Sequence, residues 1–397
     1  MQEYKKGKIV LNIVVISFML FGLAAHYISL RELRFYNSKI ITLYSLMIAL
    51  TFTIIYGNSM WGDLQTNQWD LKNAVKLYSY MNIVASVINY LTAIILSRVF
   101  VCYFNSVQLF GYIKFFKISG KMVIDSVRIV FLKSFLIPTI YEATLVVQQI
   151  HNDSSINLLL TLHTLLPMII SQVFPNLFFI ALVTCKMLMV TLNERLGEIV
   201  KEVNFMQSAA QMRIQKPYYR MQRYCELADR LDTLAQKYRL ICQHTTKYVQ
   251  LLAAPLIYSL LCNLCGITCG CFTQYLAIAD TLVNNEPYDV FNVIINAVFL
   301  GISIIEVLLQ GQISNENRLK VQETGIILQR IKLTHADERF KQAVEEFSLL
   351  ILVVKYKIQP FGLLEINISL VQHVISAVTS FLLILVQSDL TQRFSLL

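Results

Sequence analysis

The sequence predicts an all-α, polytopic membrane protein: seven transmembrane helices, N-terminus inside and C-terminus outside, with helical extensions into the cytoplasm. Three observations predict it. Of 397 residues, 56% are hydrophobic and only 15% charged, against about 45–50% and about 25% in soluble domains, and the mean hydropathy is +0.56. Seven runs after residue 35 hold about 20 mostly apolar residues, the length that crosses a bilayer core. Lys and Arg then gather in alternate connections, the bias that orients membrane proteins. Thirteen glycines and seven prolines are too few for a disordered chain. The composition disfavours a soluble enzyme, a nucleic-acid binder and a disulfide-stapled secreted domain. The net charge of +9 fits cations held on the cytoplasmic side rather than a nucleic-acid surface.

The runs cover roughly residues 40–57, 78–100, 126–148, 156–185, 248–278, 290–313 and 364–388. The connection 186–247 carries 11 Lys and Arg, 314–363 carries 8, and 101–124 carries 3. Residues 149–155 and 279–289 carry none, and 58–77 has only Lys72 and Lys76. The basic set is therefore assigned to the cytoplasm, and the first span runs outward. Asn152-Asp153-Ser154 is a glycosylation sequon in a loop this places outside. Ile9 to Leu30 reads as an N-terminal membrane-associated helix on the cytoplasmic side, since Lys5, Lys6 and Lys8 precede it and Arg31, Arg34 and Lys39 follow. A signal peptide and an eighth span are the alternatives.

Pro138, Pro167, Pro175 and Pro255 punctuate the spans. Such kinks leave room for a cavity, or are simple packing irregularity. In 186–247 apolar residues recur at helical spacing: Leu188, Leu192, Leu196, Ile199 and Val203, then Leu227, Leu231, Leu234, Tyr238 and Ile241. That stripe predicts that the fourth and fifth spans continue into the cytoplasm as amphipathic helices, separated near Lys216-Pro217. Residues 335–357 repeat the pattern.

In the last span Glu365, Ser369, Gln372, Ser376, Ser380 and Gln387 fall on one helical face, and the other faces are Leu, Ile, Val or Phe. Polar side chains at membrane depth face protein or a water-filled cavity. One helix encloses no channel, so a pore needs several copies about a symmetry axis; packing through hydrogen bonds is the alternative. Glu365 and Asp389, near opposite ends, would each become a ring of carboxylates. Glu306 in the sixth span, Glu142 in the third and Arg98 near the end of the second are intramembrane charges, with function or an unseen partner as their two readings. Cys262, Cys265, Cys269 and Cys271 lie in an apolar run without histidine and read as small hydrophobes rather than a zinc site. No cofactor, phosphate-binding or catalytic motif is present, so neither a metal nor a cofactor is expected and the chain is not read as an enzyme.

Toward the C-terminus the pattern becomes specific. Lys357-Ile-Gln-Pro360-Phe-Gly362-Leu363 leads into Ser380-Phe381, the five hydrophobic residues Leu382 to Val386, then Gln387-Ser388. This resembles the insect gustatory receptor family, whose signature is Thr-Tyr, five hydrophobic residues and Gln-Phe after a Gly-Leu-Phe-like turn. Ser380 and Phe381 replace Thr and Tyr conservatively, and Ser388 departs from the final aromatic. Phe21-Gly22-Leu23 before basic residues, and the topology over nearly the whole chain, extend the resemblance.

What the resemblance implies is a gustatory receptor in the plasma membrane of sensory neurons. It would be a tetrameric, ligand-gated, non-selective cation channel, as in the related odorant receptors. The small-molecule tastant would be a bitter or other contact chemical cue. Partners would be other receptor subunits and the lipid bilayer, not nucleic acid. On this reading residues 1–39 are a cytoplasmic membrane-associated segment, 40–313 the ligand-binding bundle including extensions 186–247, and 314–363 an anchor segment. Residues 364–388 line the pore and 389–397 are an extracellular tail.

Candidate ligand residues in the outer halves of the spans are Tyr78, Asn82, Tyr141, Glu142, Gln148, His163, Gln274 and Tyr275. The pore and gate set is Glu365, Ser380, Ile384, Gln387, Ser388 and Asp389, with Ile384 and Gln387 forming an apolar ring and an amide ring. A seven-helix G-protein-coupled receptor is the main alternative. It is disfavoured by the inside N-terminus and by the lack of Asp-Arg-Tyr and Asn-Pro-x-x-Tyr motifs. A small-solute transporter is the second alternative, and no paired half-repeats support it.

Overall fold

The computed structural model describes residues 16, 18–29, 34–65, 74–107, 109–152, 158–208, 216–283, 289–354 and 356–395. A short hairpin, β1 (His26–Ser29) and β2 (Arg34–Asn37), precedes the helices. The first span is α1 (Lys39–Gln65) and the second α2 (Ala74–Ile95). α3 (Ser97–Val107) and α4 (Leu109–Phe116) follow. The third span joins α5 (Gly120–Phe131) to α6 (Ile137–Asn152) through one π-helical segment, Leu132–Leu136. α7 (Leu158–Met206) holds the fourth span. α8 (Pro217–Leu251) leads to the fifth span, α9 (Ala253–Val283). The sixth is α10 (Val290–Leu328); α11 (Glu338–Val353) and the last span, α12 (Ile368–Ser395), complete the chain. Seven helices among the described residues have the length and hydropathy to cross a membrane, and the fold is that of a polytopic helical membrane protein.

The N-terminal expectation is corrected. His26–Ser29 is a strand paired antiparallel with Arg34–Asn37, not the end of a helix: Tyr27 pairs with Tyr36, and the two rings stack 5.7 Å apart. Aromatic cross-strand pairs of this kind stabilise a hairpin, and in a short apolar run periodicity alone does not separate strand from helix. Asn105 of α3 holds the hairpin, accepting from the Phe35 N–H at 2.8 Å and donating to the Phe35 carbonyl at 2.9 Å. Residues before 16 lie outside the described ones.

α7 runs unbroken for 49 residues although it contains Pro167 and Pro175. Each proline removes the N–H that would bond the carbonyl four residues earlier. Neighbouring spans supply the missing donors. The Tyr56 hydroxyl of α1 donates to the His163 carbonyl at 2.7 Å. Asn89 of α2 donates to the Ser171 carbonyl at 3.1 Å and to that of Ile170 at 2.7 Å. The gaps that would destabilise a lone helix in lipid thus become specific joints with the first and second spans.

Beyond the spans, α7, α8 and α11 pack as a helical bundle. Leu188, Leu192, Leu196, Ile199 and Val203 of α7 are buried against Leu227, Leu231, Leu234, Tyr238 and Ile241 of α8. Phe340, Ala343, Val344 and Phe347 of α11 close the cluster. Every position of the amphipathic stripe is in this core. Each fully buried Leu is worth about 1.5–3 kcal/mol relative to exposure. Arg339 of α11 meets Asp232 of α8 at 2.5 Å, and Arg223 and Arg230 of α8 meet Glu202 of α7; such exposed pairs add at most about 1 kcal/mol each. Asn193, Asn317 and Thr324 join α7 to α10, with Thr324 donating to Asn193 Oδ1 at 2.7 Å and Asn317 to the Leu182 carbonyl at 2.9 Å.

α12 packs on α9 and α10 through one face, where Val371, Val374 and Val378 meet Leu264, Ile267, Cys271, Leu300 and Val307. Gly311 of α10 permits the approach: a Cβ there would lie 3.0 Å from the Asn367 carbonyl. One further expectation is corrected at this helix. Glu365 precedes its first turn and so is not on the helical stripe. Residues 389–395 are helical, since α12 continues to Ser395, and Arg393 secures that last turn by pairing with Asp389 and with Asp280 of α9, both at 2.6 Å.

Candidate functional site

Two features stand out, a cavity within the bundle and the exposed face of α12. The cavity is a narrow, partly open cleft between α2, the third span, α7 and α10. α2 supplies Tyr78 and Asn82, α6 supplies Pro138, Tyr141 and Glu142, α7 supplies Met168, Ser171 and Gln172, and α10 supplies Ser303 and Glu306. Four of the eight sequence-derived ligand candidates therefore converge: Tyr78, Asn82, Tyr141 and Glu142.

The aromatic wall is organised by Phe299 of α10. Its ring stacks on Tyr141 at 4.5 Å and meets Tyr78 edge-on at 5.3 Å, both favourable aromatic geometries. Asn82 is committed to the frame: it donates to the Tyr78 carbonyl at 3.0 Å and accepts from the Ser171 hydroxyl at 2.9 Å.

A buried charge network forms one side of the cavity. Glu306 Oε1 lies 3.1 Å from Lys133 Nζ. Lys133 also donates to Asn176 Oδ1 at 2.7 Å, and Gln172 donates to Glu306 Oε2 at 3.2 Å. Lys133 is fully buried, and the Glu306 side chain is 6% exposed. Lys133 lies within the π-helical segment. Pro138 lacks the N–H that would otherwise bond upstream into that segment, a common setting for such a bulge. Lys133 is the partner that the sequence reading of Glu306 lacked. Its place among apolar neighbours, Val130-Phe131-Leu132 before it and Phe135-Leu136-Ile137 after, was the available signal.

The other four ligand candidates lie outside this cavity. Gln148 is farther along α6. The His163 ring stacks on Tyr56 at 4.4 Å, beside the carbonyl that Tyr56 repairs. Gln274 donates to the Val293 carbonyl at 2.9 Å, and the Tyr275 hydroxyl donates to Asp389 at 3.1 Å. Met168, Ser171, Gln172 and Ser303 were not anticipated, because small and polar residues on long apolar helices carry no local pattern.

On α12, Ser369, Gln372, Ser376, Ser380, Ile384, Gln387 and Ser388 are exposed on the single chain. The most apolar window of this span is only 6% buried, against 50% for the fourth and fifth spans. Asp389 differs from its expectation as an open carboxylate. It is 8% exposed and neutralised by Arg393, with Tyr275 as second donor. Glu365 is half-buried, with Arg318 at 3.8 Å.

The turn before α12 is held from α8. Gln250 donates to the Gln359 carbonyl at 2.8 Å and accepts from the Phe361 N–H at 3.1 Å. Gly362 takes φ +71° there, a conformation in which glycine meets no Cβ penalty.

Asn152 closes α6, and the rest of the sequon, Asp153 and Ser154, lies outside the described residues. All eight cysteines are free, and the cluster from Cys262 to Cys271 sits on α9. Among the described residues no group of His, Cys, Asp or Glu is placed to hold a metal ion.

A cavity on a seven-span helical scaffold, braced by a buried ion pair, defines the class as a multi-pass helical membrane protein. The 7tm chemosensory receptor family matches residues 11–392, and the chain belongs to that family. It is 41% identical to gustatory receptor 94a of Drosophila melanogaster over 97% of this chain and 96% of that one. It is 39% identical to gustatory receptor 97a of the same fly over 99% and 95%. The fold is similar to that of the insect olfactory receptor OR5 from Machilis hrabei, solved in complex with eugenol. The TM-score is 0.60, with 14% identity and coverage of 97% of this chain and 98% of that one. The chain is thus a chemosensory receptor of the gustatory type, and its family is one of receptors, not enzymes.

Proposed function

We propose that the chain is a subunit of a ligand-gated, non-selective cation channel in the plasma membrane of sensory neurons. Four subunits, identical or mixed with related ones, surround a pore lined by α12. A small tastant, bitter or another contact cue, enters the cavity between α2, the third span, α7 and α10. The N-terminus and the bundle of α7, α8 and α11 lie in the cytoplasm, and the cavity lies toward the outer side.

One observation carries this reading: the polar face of α12 is exposed on the single chain while its opposite face packs on α9 and α10. Gln372 and Gln387 cannot face hydrocarbon without cost, and a fourfold arrangement turns that face toward water. Two joints connect cavity to pore. α10 carries Glu306 at the cavity and Gly311 against the start of α12, and Gln250 of α8 grips the turn before α12.

Expression with calcium imaging against a tastant panel, with and without candidate partner subunits, tests the activity. Single-particle imaging tests the assembly. A monomer or dimer with α12 against lipid rules the reading out, as does an extracellular N-terminus in tag-accessibility assays.

A further inference from the structure

We propose that the cavity is selective for ligands bearing a protonated amine, with Glu142 as the counter-ion and the rings of Tyr78 and Tyr141 beside it. This rests on the reading of the cavity as the ligand pocket and specifies its chemistry.

Three observations converge. The first is the charge balance. Glu306 is neutralised by Lys133 and further bonded by Gln172. Glu142, half-buried on the same wall, has neither an ion pair nor a hydrogen bond among the described residues. The cavity therefore holds one carboxylate in excess. The second is unmet hydrogen bonding. Gln172 Oε1 is buried without a partner, Tyr141 Oη has only the Tyr78 hydroxyl beside it, and all three residues line the cavity. Buried polar atoms left unpaired cost free energy that a ligand recovers by pairing them. An ammonium group offers up to three N–H donors and no acceptor, the complement of a carboxylate, an amide oxygen and a hydroxyl oxygen. The third is the pair of lining rings, Tyr78 and Tyr141, held by Phe299 behind them; aromatic faces attract cations when desolvated.

Other ligand charges fit worse. An anion would meet Glu142 with no free cation, because Lys133 is already committed to Glu306 and Asn176. A hydrocarbon would leave Gln172 Oε1 unpaired. A neutral alcohol can bond that oxygen but leaves the Glu142 carboxylate without a counter-charge.

The test uses a matched pair, 2-phenylethylamine, cationic at neutral pH, and 2-phenylethanol, its neutral counterpart. Two readouts are taken on the full-length receptor: evoked current in expressing cells and thermal stabilisation of the purified protein. The expected result is a preference for the amine of about tenfold or more in half-maximal concentration, equivalent to about 1.4 kcal/mol. Glu142→Gln should abolish that preference, while Glu142→Asp, which keeps the charge, should retain it. The amine-to-alcohol ratio within each variant is independent of expression level. Equal effects of the two compounds on stability and current overturn the proposal, as does a preference that survives in Glu142→Gln. Currents evoked by neutral compounds without any amine advantage sink the amine chemistry and leave the channel reading intact. Amine-selective stabilisation with no current from any subunit combination supports the chemistry and counts against the channel.

Discussion

Lys133 and Glu306, 173 residues apart in sequence, form a buried ion pair between the third and sixth spans, with Nζ 3.1 Å from Oε1. Water does not solvate either group, so each depends on the other. Removing one partner of such a pair leaves an uncompensated charge and costs about 3–5 kcal/mol, whereas replacing both with apolar residues is often neutral. Lys133→Met alone should lower the melting temperature of the detergent-purified receptor markedly. Lys133→Met with Glu306→Leu should recover most of that loss. A double variant no more stable than either single variant argues that the pair has a different role.

Gln250 is expected to couple the α8–α9 junction to α12 through its two hydrogen bonds to the Gln359–Phe361 turn. Each such bond is worth about 0.5–1.5 kcal/mol. Gln250→Leu should therefore shift the dose-response curve of a responsive assembly several-fold to higher concentration. An unchanged curve at equal surface expression would remove Gln250 from the coupling route.

The gate is expected at the outer end of α12. An apolar ring at Ile384 followed by an amide ring at Gln387 can close by dewetting. Ile384→Ala or Gln387→Ala should raise basal current, and Ser388→Phe, which restores the aromatic of the family signature, should lower it. Patch-clamp recordings in which positions 384 and 387 change neither basal nor evoked current would place the gate elsewhere.

Asp389 is buried and paired with Arg393, which also holds Asp280. Screening over about 8–10 Å near physiological ionic strength acts on exposed charges and little on such a cluster. Asp389→Asn should thus change conductance by the same small factor at low and high salt. Arg393→Gln, which releases α12 from α9, should raise basal opening. A conductance loss confined to low salt would instead mean that Asp389 turns outward in the assembly.

His26 links the hairpin to acidity. It sits between Phe35 and Phe104, with centroids at 5.6 and 6.0 Å, and burial lowers its pKa from 6.5 to about 4. The unfolded chain then binds more protons between those two values, so stability is complete above about pH 6.5 and falls as the pH drops toward 4. The upper bound is about 3–4 kcal/mol at 1.36 kcal/mol per pH unit. Proteolysis of the N-terminal segment should accelerate from pH 7 to pH 5, and His26→Phe should abolish that difference. Equal acceleration in the variant would assign it to another group.

The seven spans, the amphipathic helices and the polar face of α12 were legible in the residues because each depends on local periodicity and on an average over about 20 positions. The stripe from Leu188 to Ile241 is one example: spacing alone identified the buried face. The hairpin at His26–Asn37 was not legible, since aromatic residues in a short run suit either helix or strand and only pairing decides between them. The end of α12 was missed for a related reason. Asp389 and Arg393 read as the polar end of a span, and Tyr275 and Asp280 on α9 make them part of the helix packing.

The cavity shows the same division. Tyr78, Asn82, Tyr141 and Glu142 could be proposed one by one, as aromatic or polar side chains in outer halves of spans. That they converge with Ser171, Gln172 and Ser303, while Gln148, His163, Gln274 and Tyr275 do not, depends on helix rotation. Rotation is set by joints such as Tyr56 to the His163 carbonyl and Asn89 to the Ser171 carbonyl. The membrane class and the helical faces follow from composition and period, which are local and additive. The pairing of Lys133 with Glu306, and of Tyr275 with Asp389, follows from contacts more than 100 residues apart, which no local pattern encodes.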